Sequence, residues 1–256
     1  LSLLARILAT KAEEVAKLRQ QKFSPAPARR ALSLARKQGD PLRLITEIKH
    51  RSPSAGPLST KLTVEERAAA YERAGASMLS VLCDAPFFDG AFEHLARARG
   101  AVSLPLLCKE FVIDEVQLDA ARSFGADAVL LIVRCLEARR VGELVRAARE
   151  RELEPFVEVV DEAESKLALD AGATLIGVNA RDLDTLAMDP VRAARILDAL
   201  PDGVIAVHLS GIGSPSAVRE VARGRAHAAL IGEVLMREAD PAPLLRELVQ
   251  AAAPGG

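Results

Sequence analysis

At 256 residues, 50% of them hydrophobic, the chain is long enough to bury a large core, and a length near 250 suits one α/β barrel, the favoured reading, as well as it suits two smaller domains. Thirty-four basic residues against 35 acidic ones leave a net charge of -1, which gives no electrostatic reason to expect nucleic acid or an anionic membrane as a partner. No apolar run approaches the ~20 residues that cross a bilayer, and the N-terminus mixes acids and bases where an export signal would be apolar. A cytoplasmic protein that acts on a small molecule is the expectation.

Leu1 stands where an initiator methionine would, which implies a trimmed or engineered start. Ser2 to Gln21 carries Leu4, Ile7, Leu8, Val15 and Leu18 amid charge, the pattern of an amphipathic helix. Arg29 to Lys37, after the Pro25-Ala-Pro27 break, reads as a second helix. The simpler use for this extension, residues 1–40, is to cap the bottom of a barrel built from 41–256. The alternative packs it near the mouth, where it would help enclose a ligand.

Short runs rich in Leu and β-branched residues follow at 42–49, 77–83, 104–109, 128–133, 155–160, 174–179, 203–209 and 228–232, each apolar enough to be buried on both faces of a parallel sheet. Segments with helical spacing lie between them, among them 64–74, 116–124, 136–149, 162–171 and 191–200. Eight strand-then-helix alternations predict a single (β/α)8 TIM barrel with an N-terminal helical extension. Ala74-Gly75-Ala76, Phe124-Gly125-Ala126 and Ala171-Gly172-Ala173 supply helix ends that tolerate a left-handed backbone. Ala251 to Gly256 reads as a frayed tail.

In such a barrel the carboxyl ends of the strands converge on one face. Glu47 and Lys49 stand there on strand one, two residues apart and so pointing the same way, before the loop His50-Arg-Ser-Pro-Ser-Ala-Gly-Pro57. Lys109 ends strand three, Glu158 strand five and Asn179 strand six; Ser210 and Gly211 follow strand seven, Gly232 and Glu233 strand eight. Singly, each charge reads as a solvated strand end. Together, inside an apolar barrel, two lysines and two glutamates are costly unless they pair and serve chemistry. Gly211-Ile-Gly213 and Ile231-Gly232-Glu233 lie where barrels commonly grip phosphate with backbone N–H groups.

Cys83, Cys108 and Cys135 lack CxxC spacing and read as reduced thiols. His50 and His94 read as solvated and His227 as a helix cap or end. His208 should face the helices as a hydrogen-bonded structural histidine, because strand neighbours point opposite ways. No second ligand at suitable spacing supports metal binding.

These residues resemble the indole-3-glycerol phosphate synthase family over nearly the whole chain. The resemblance runs through Ala12-Glu-Glu-Val15, Glu47-Ile-Lys-His-Arg-Ser-Pro-Ser54, Leu79-Ser-Val-Leu82 with Phe87-Phe88, Lys109-Glu-Phe-Val-Ile-Asp114, Val157-Glu-Val159, Ile176-Gly-Val-Asn-Ala-Arg-Asp-Leu183 and Ile231-Gly-Glu-Val-Leu-Met-Arg237. It implies closure of 1-(2-carboxyphenylamino)-1-deoxyribulose 5-phosphate to indole-3-glycerol phosphate with loss of carbon dioxide and water, and no metal or organic cofactor. It also implies roles. Lys109 is a general acid, Lys49 contacts the substrate carboxylate and can share the acid role, and Glu158 moves a proton in dehydration. Glu47 and Asn179 hold and polarise these groups. Ser52, Arg181, Leu209, Ser210 and Leu230 fall at substrate-contacting positions, and Ser52, Gly211, Gly232 and Glu233 at the phosphate site. Other enzymes of the tryptophan pathway are the partners it suggests.

The chain departs from the resemblance at strand seven. The family's usual Glu-Ser-Gly is Leu209-Ser210-Gly211 here, and His208 precedes it where a small residue is usual. Cys83, Cys108 and Val160 are further differences at strand ends. Losing a carboxylate beside two lysines should lower their pKa and weaken hydrogen bonding to the sugar hydroxyls. Three other readings therefore stand beside the synthase. They are an attenuated or altered paralogue, a redesigned barrel, and a non-catalytic phospho-ligand binder. A phosphosugar isomerase on the same barrel would need a Cys or Asp acid/base pair, and Lys49 occupies that strand end.

Overall fold

The protein, seen in a computed structural model, is described over residues 2–37 and 39–254. Eight parallel strands close a barrel: β1 (Arg43–Ile48), β2 (Met78–Leu82), β3 (Leu106–Lys109), β4 (Ala128–Ile132), β5 (Glu154–Val159), β6 (Leu175–Asn179), β7 (Ile205–Leu209) and β8 (Ala228–Ile231). The ring closes where Ile45 of β1 lies opposite Leu230 of β8 on one side and Met78 of β2 on the other. The helices are α1 (Leu3–Leu18), α2 (Val64–Arg73), α3 (Ala85–Phe88), α4 (Phe92–Ala101), α5 (Glu115–Ser123), α6 (Ala138–Glu150), α7 (Glu162–Asp170), α8 (Pro190–Ala199), α9 (Pro215–Arg223), α10 (Glu233–Arg237) and α11 (Ala242–Ala251).

The local sequence explains where these elements begin and end. Thr63 opens α2 with a capping box, accepting from the Glu66 N–H at 3.2 Å while Glu66 accepts from the Thr63 N–H at 2.8 Å. Asp114, Asp161, Asp189 and Ser214 cap α5, α7, α8 and α9 with their side chains. The three Gly-Ala turns adopt positive φ after α2, α5 and α7, as their sequence demands.

Strand periodicity then sorts the core into two shells. One set of side chains, including Leu79, Val81, Val129, Val157, Ile176 and Val178, packs outward against the helices. The alternate set, including Ile45, Met78, Leu107, Phe156, Val207 and Leu230, fills the barrel axis. Continuing that inner parity to the carboxyl ends of the strands reaches Glu47, Lys109, Glu158, Asn179 and Leu209.

Residues 29–37 are not a helix; they run as an extended strap beneath the barrel. Tertiary partners there replace the helical ladder. The Arg30 N–H donates to Asp127 at 2.7 Å, and its guanidinium donates to the carbonyls of Leu104 and Arg99 at 2.8 and 3.0 Å. Arg36 donates to the carbonyls of Ala226 and Ala222, both at 2.8 Å, and Leu34 is wholly buried among the axial side chains. The strap closes the bottom of the barrel, the task the simpler reading assigned to the helix. Helix α1 lies at the mouth, where the alternative reading placed the extension, its Leu3, Leu4 and Ile7 lining the cavity described below.

Other expectations change in detail. The tail is not frayed through Ala252: Ala251 and Ala252 are buried, and the Ala252 carbonyl accepts from the Leu42 N–H at 2.9 Å. Leu1, Gly255 and Gly256 lie outside the described residues. His227 caps no helix; at the start of β8 its Nδ1 accepts from the Ala206 N–H at 3.1 Å, tying β8 to β7. His208 faces the helices as expected, but its Nδ1 has no hydrogen-bond partner among the described residues, and burial pushes its pKa down. His50 and His94 are half-buried against each other, ring centroids 5.0 Å apart in an edge arrangement. All three cysteines are free and buried. Adjacent strands nevertheless bring Cys83 and Cys108 to an Sγ–Sγ distance of 3.6 Å, a pairing sequence spacing could not reveal.

Candidate active site

Glu47 organises the mouth of the barrel. It is buried among apolar strands, and the parity it shares with Lys49 brings the Lys49 ammonium to 2.8 Å from its Oε1. From β3, Lys109 reaches its Oε2 at 3.3 Å, and the Ser80 hydroxyl donates to the same oxygen at 3.3 Å. One carboxylate thus holds two ammonium groups. Burial alone would raise the Glu47 pKa, but Lys49 first and then Lys109 outweigh it and hold the carboxyl down at about 2. For Lys109, burial pulls the pKa down, while Glu47 and then Glu158 pull it up more strongly, so the net shift is upward. With Leu209 in place, Glu47 and Glu158 still hold Lys109 above the ordinary lysine range. The ammonium is available as a proton donor.

Across the cavity, Glu158 and Asn179 come from the neighbouring strands β5 and β6. Asn179 Nδ2 donates to Glu158 Oε1 at 2.8 Å, and Asn179 Oδ1 accepts from the Arg181 N–H at 3.0 Å. That chain fixes the Glu158 carboxyl. Its other oxygen, Oε2, is buried with no partner among the described residues, so it is oriented and free to accept a proton.

The remaining polar positions form a third side. Ser52 sits in a small antiparallel ribbon, Arg51–Ser52 against Gly56–Pro57, and its hydroxyl accepts from the Ala55 N–H at 3.1 Å. After β7 the chain turns through two successive left-handed residues, Ser210 at φ 67 and Gly211 at φ 78. Such turns aim successive N–H groups into a concavity that suits an anion. Gly232 has a different reason to be glycine, since a Cβ there would lie 2.8 Å from Glu47 Oε1. Glu233 starts α10 and accepts from Arg237 at 2.8 Å.

Every residue assigned to the site from the sequence lines one cavity of about 490 Å³: Glu47, Lys49, Ser52, Lys109, Glu158, Asn179, Arg181, Leu209, Ser210, Gly211, Leu230, Gly232 and Glu233. The side chains of its apolar roof were not named from the sequence, although a helix at the mouth was one of the two placements considered for the extension. Phe88 from α3 and Phe111 beyond β3 contribute rings 6.0 Å apart, joined by Leu183 and Leu186 from the loop after β6 and by Leu3, Leu4 and Ile7 from α1. Phe111 was reachable, because it shares the parity of Lys109. Nothing local in the sequence marks α1 as a wall of this site. Leu209 is buried and wedged on the axis, with Cδ1 2.7 Å and Phe156 Cε2 2.4 Å from the point where a Gly177 Cβ would stand. Only a glycine at 177 leaves room for both.

A closed parallel barrel with paired lysines and carboxylates at the carboxyl ends of its strands defines a (β/α)8-barrel enzyme. Residues 4–248 match the family model for indole-3-glycerol phosphate synthase, and the chain belongs to that family. It is 41% identical over 248 residues, 97% of this chain and 96% of the relative, to the indole-3-glycerol phosphate synthase of Exiguobacterium sp.. It is 43% identical over 235 residues, 91% of this chain and 90% of the relative, to indole-3-glycerol phosphate synthase 2 of Streptomyces coelicolor. A solved structure of 3-hexulose-6-phosphate synthase superposes with a TM-score of 0.67 at 17% identity, covering 82% of this chain and 99% of that one, a likeness of fold alone.

Proposed function

We propose that this protein is an indole-3-glycerol phosphate synthase of tryptophan biosynthesis. It would convert 1-(2-carboxyphenylamino)-1-deoxyribulose 5-phosphate into indole-3-glycerol phosphate, carbon dioxide and water, with no metal or organic cofactor. The observation that carries this reading is the pair of ammonium groups on Glu47, 2.8 and 3.3 Å away, facing an oriented Glu158 in a cavity of the right family.

The substrate has an anion at each end and an aromatic ring between them. Lys49 attracts the ring carboxylate, while Ser52 and the chain at Ser210, Gly211, Gly232 and Glu233 receive the phosphate; the roof of Phe88, Phe111, Leu4 and Ile7 takes the ring. This holds the carboxyl-bearing ring carbon against the ketone carbon. As that carbon attacks, Lys109 gives its proton to the ketone oxygen; carbon dioxide then leaves and its bonding electrons restore the aromatic ring. In dehydration an ammonium protonates the departing hydroxyl and Glu158 takes the proton lost from the new ring, leaving the indole ring of indole-3-glycerol phosphate and water. Arg181 and Leu230 border the substrate, and Asn179 keeps Glu158 aimed.

A second reading rests on Leu209. An isobutyl group, buried where the family resemblance places a carboxylate, suits a slower or altered enzyme, or a phospho-ligand binder. Adding the substrate and following indole fluorescence separates them: a synthase produces the signal, whereas a binder takes up the ligand without it. The free buried cysteines suit a reducing, cytoplasmic setting; other tryptophan-pathway enzymes are the partners the family membership suggests.

A further inference from the structure

Helix α1 buries one stripe, Leu4, Ile7, Lys11 and Val15, and the third member of that stripe is charged. Lys11 has no solvent exposure. Its Nζ lies 2.7 Å from Asp84 Oδ1, 2.9 Å from Glu110 Oε1 and 2.6 Å from Glu14 Oε2; Asp84 and Glu110 are themselves buried. A lysine leaves water only where such partners meet its charge. Asp84 follows β2 and accepts from the Phe87 N–H at 2.8 Å, which starts the turn that sends Phe88 into the cavity. Glu110 directly follows Lys109 and accepts from the Phe111 N–H at 2.6 Å.

We infer that Lys11 is a positioning residue, tying the seating of α1 over the cavity to the placement of Lys109 and Phe111 through Glu110. Lys11 does not line the cavity, so it acts through others. Leu4 and Ile7, which do line it, share its helical face. The other ties of α1 are weaker. The Leu4 N–H reaches Asp184 Oδ1 at 3.3 Å, and Arg19 meets Asp114 at 2.6 Å with its own side chain mostly in solvent. The buried cluster is therefore the joint at which the roof and the acid-bearing strand end share one set of contacts. A shift of about an ångström at a reacting group is enough to slow chemistry.

The inference rests on the proposed synthase reading for its kinetic test and on a separate measurement for its coupling. Two variants are compared with the parent: Lys11→Met, and the neutral triple Lys11→Met, Asp84→Asn, Glu110→Gln, in which Asn keeps the cap on α3. The triple leaves no unpaired buried charge, so it remains readable should the single variant fail to fold. The expected result is at least a tenfold loss of kcat in a folded triple variant, with inorganic phosphate inhibiting it as it inhibits the parent. Amide hydrogen exchange at Lys109 and Phe111 should also accelerate about tenfold. A folded triple variant with parental kcat, or exchange that rises in α1 alone, overturns the inference. If the parent itself makes no indole product, the synthase reading fails and the exchange measurement still decides the coupling.

Discussion

Gly232 and Glu47 meet so closely that a single methyl group between them would displace the carboxylate: the Cβ of an alanine at 232 would stand 2.8 Å from Glu47 Oε1 and 3.1 Å from Glu47 Cβ. Because that carboxylate holds both lysines, Gly232→Ala should move Lys49 and Lys109 together. Activity is expected to fall at least tenfold with far-ultraviolet circular dichroism unchanged. Parental kcat in the variant would mean that the shared carboxylate does not set lysine placement.

Lys109 and Glu158 face the cavity from different strands and should fail differently from a binding residue. Replacing a general acid or base typically removes about 10²- to 10⁴-fold of rate. Lys109→Met and Glu158→Gln should each lower kcat by that order, with KM moving much less. A variant that raised KM alone would make its residue a ligand contact and not a proton-transfer group.

Two buried carboxylates should respond to pH with opposite sign. The folded-state value of Glu47, about 2, lies below its ordinary 4.5, so the stability it contributes is present above 4.5 and is lost as pH falls towards 2. Glu110 is raised by burial to about 7, with Lys11 opposing the shift. Its contribution is present below 4.5 and is lost as pH rises through 7. Each is worth on the order of 3 kcal/mol at most. Urea midpoints should therefore fall between pH 5 and 8 in the parent more steeply than in Glu110→Gln, and fall in acid more steeply than in Glu47→Gln. Parallel curves would contradict the assignment.

The parts of this site that follow strand parity were legible in the sequence. Glu47 and Lys49 could be placed on one face from their spacing, and Lys109, Glu158 and Asn179 on the same rim from the strand count, because each depends on its own short segment. Residues 29–37 misled because helical spacing was present, while the carbonyls that Arg30 and Arg36 satisfy are far along the chain. The choice between bottom and mouth for α1 was left open for the same reason. Its address is written in Lys11, Asp84 and Glu110, which nothing local connects. The resemblance supplied roles that geometry alone would have left as a cluster of charges.

Leu209 is the departure with a mechanistic consequence. Leu209→Glu would place a carboxylate on the axis beside Gly177 and offer the sugar hydroxyls an acceptor. If Leu209 restrains turnover, the variant should form product faster than the parent; unchanged product formation would show that this position does not limit activity. Burying the new charge should also cost some stability, which a lower thermal midpoint would report.

Indole fluorescence on mixing purified protein with 1-(2-carboxyphenylamino)-1-deoxyribulose 5-phosphate is the most direct measure of whether this barrel is a synthase. The parent should generate the signal with stoichiometric release of carbon dioxide, and Lys109→Met should bind the substrate and remain dark. Binding by the parent without fluorescence, or undiminished fluorescence in Lys109→Met, would contradict the proposed synthase chemistry.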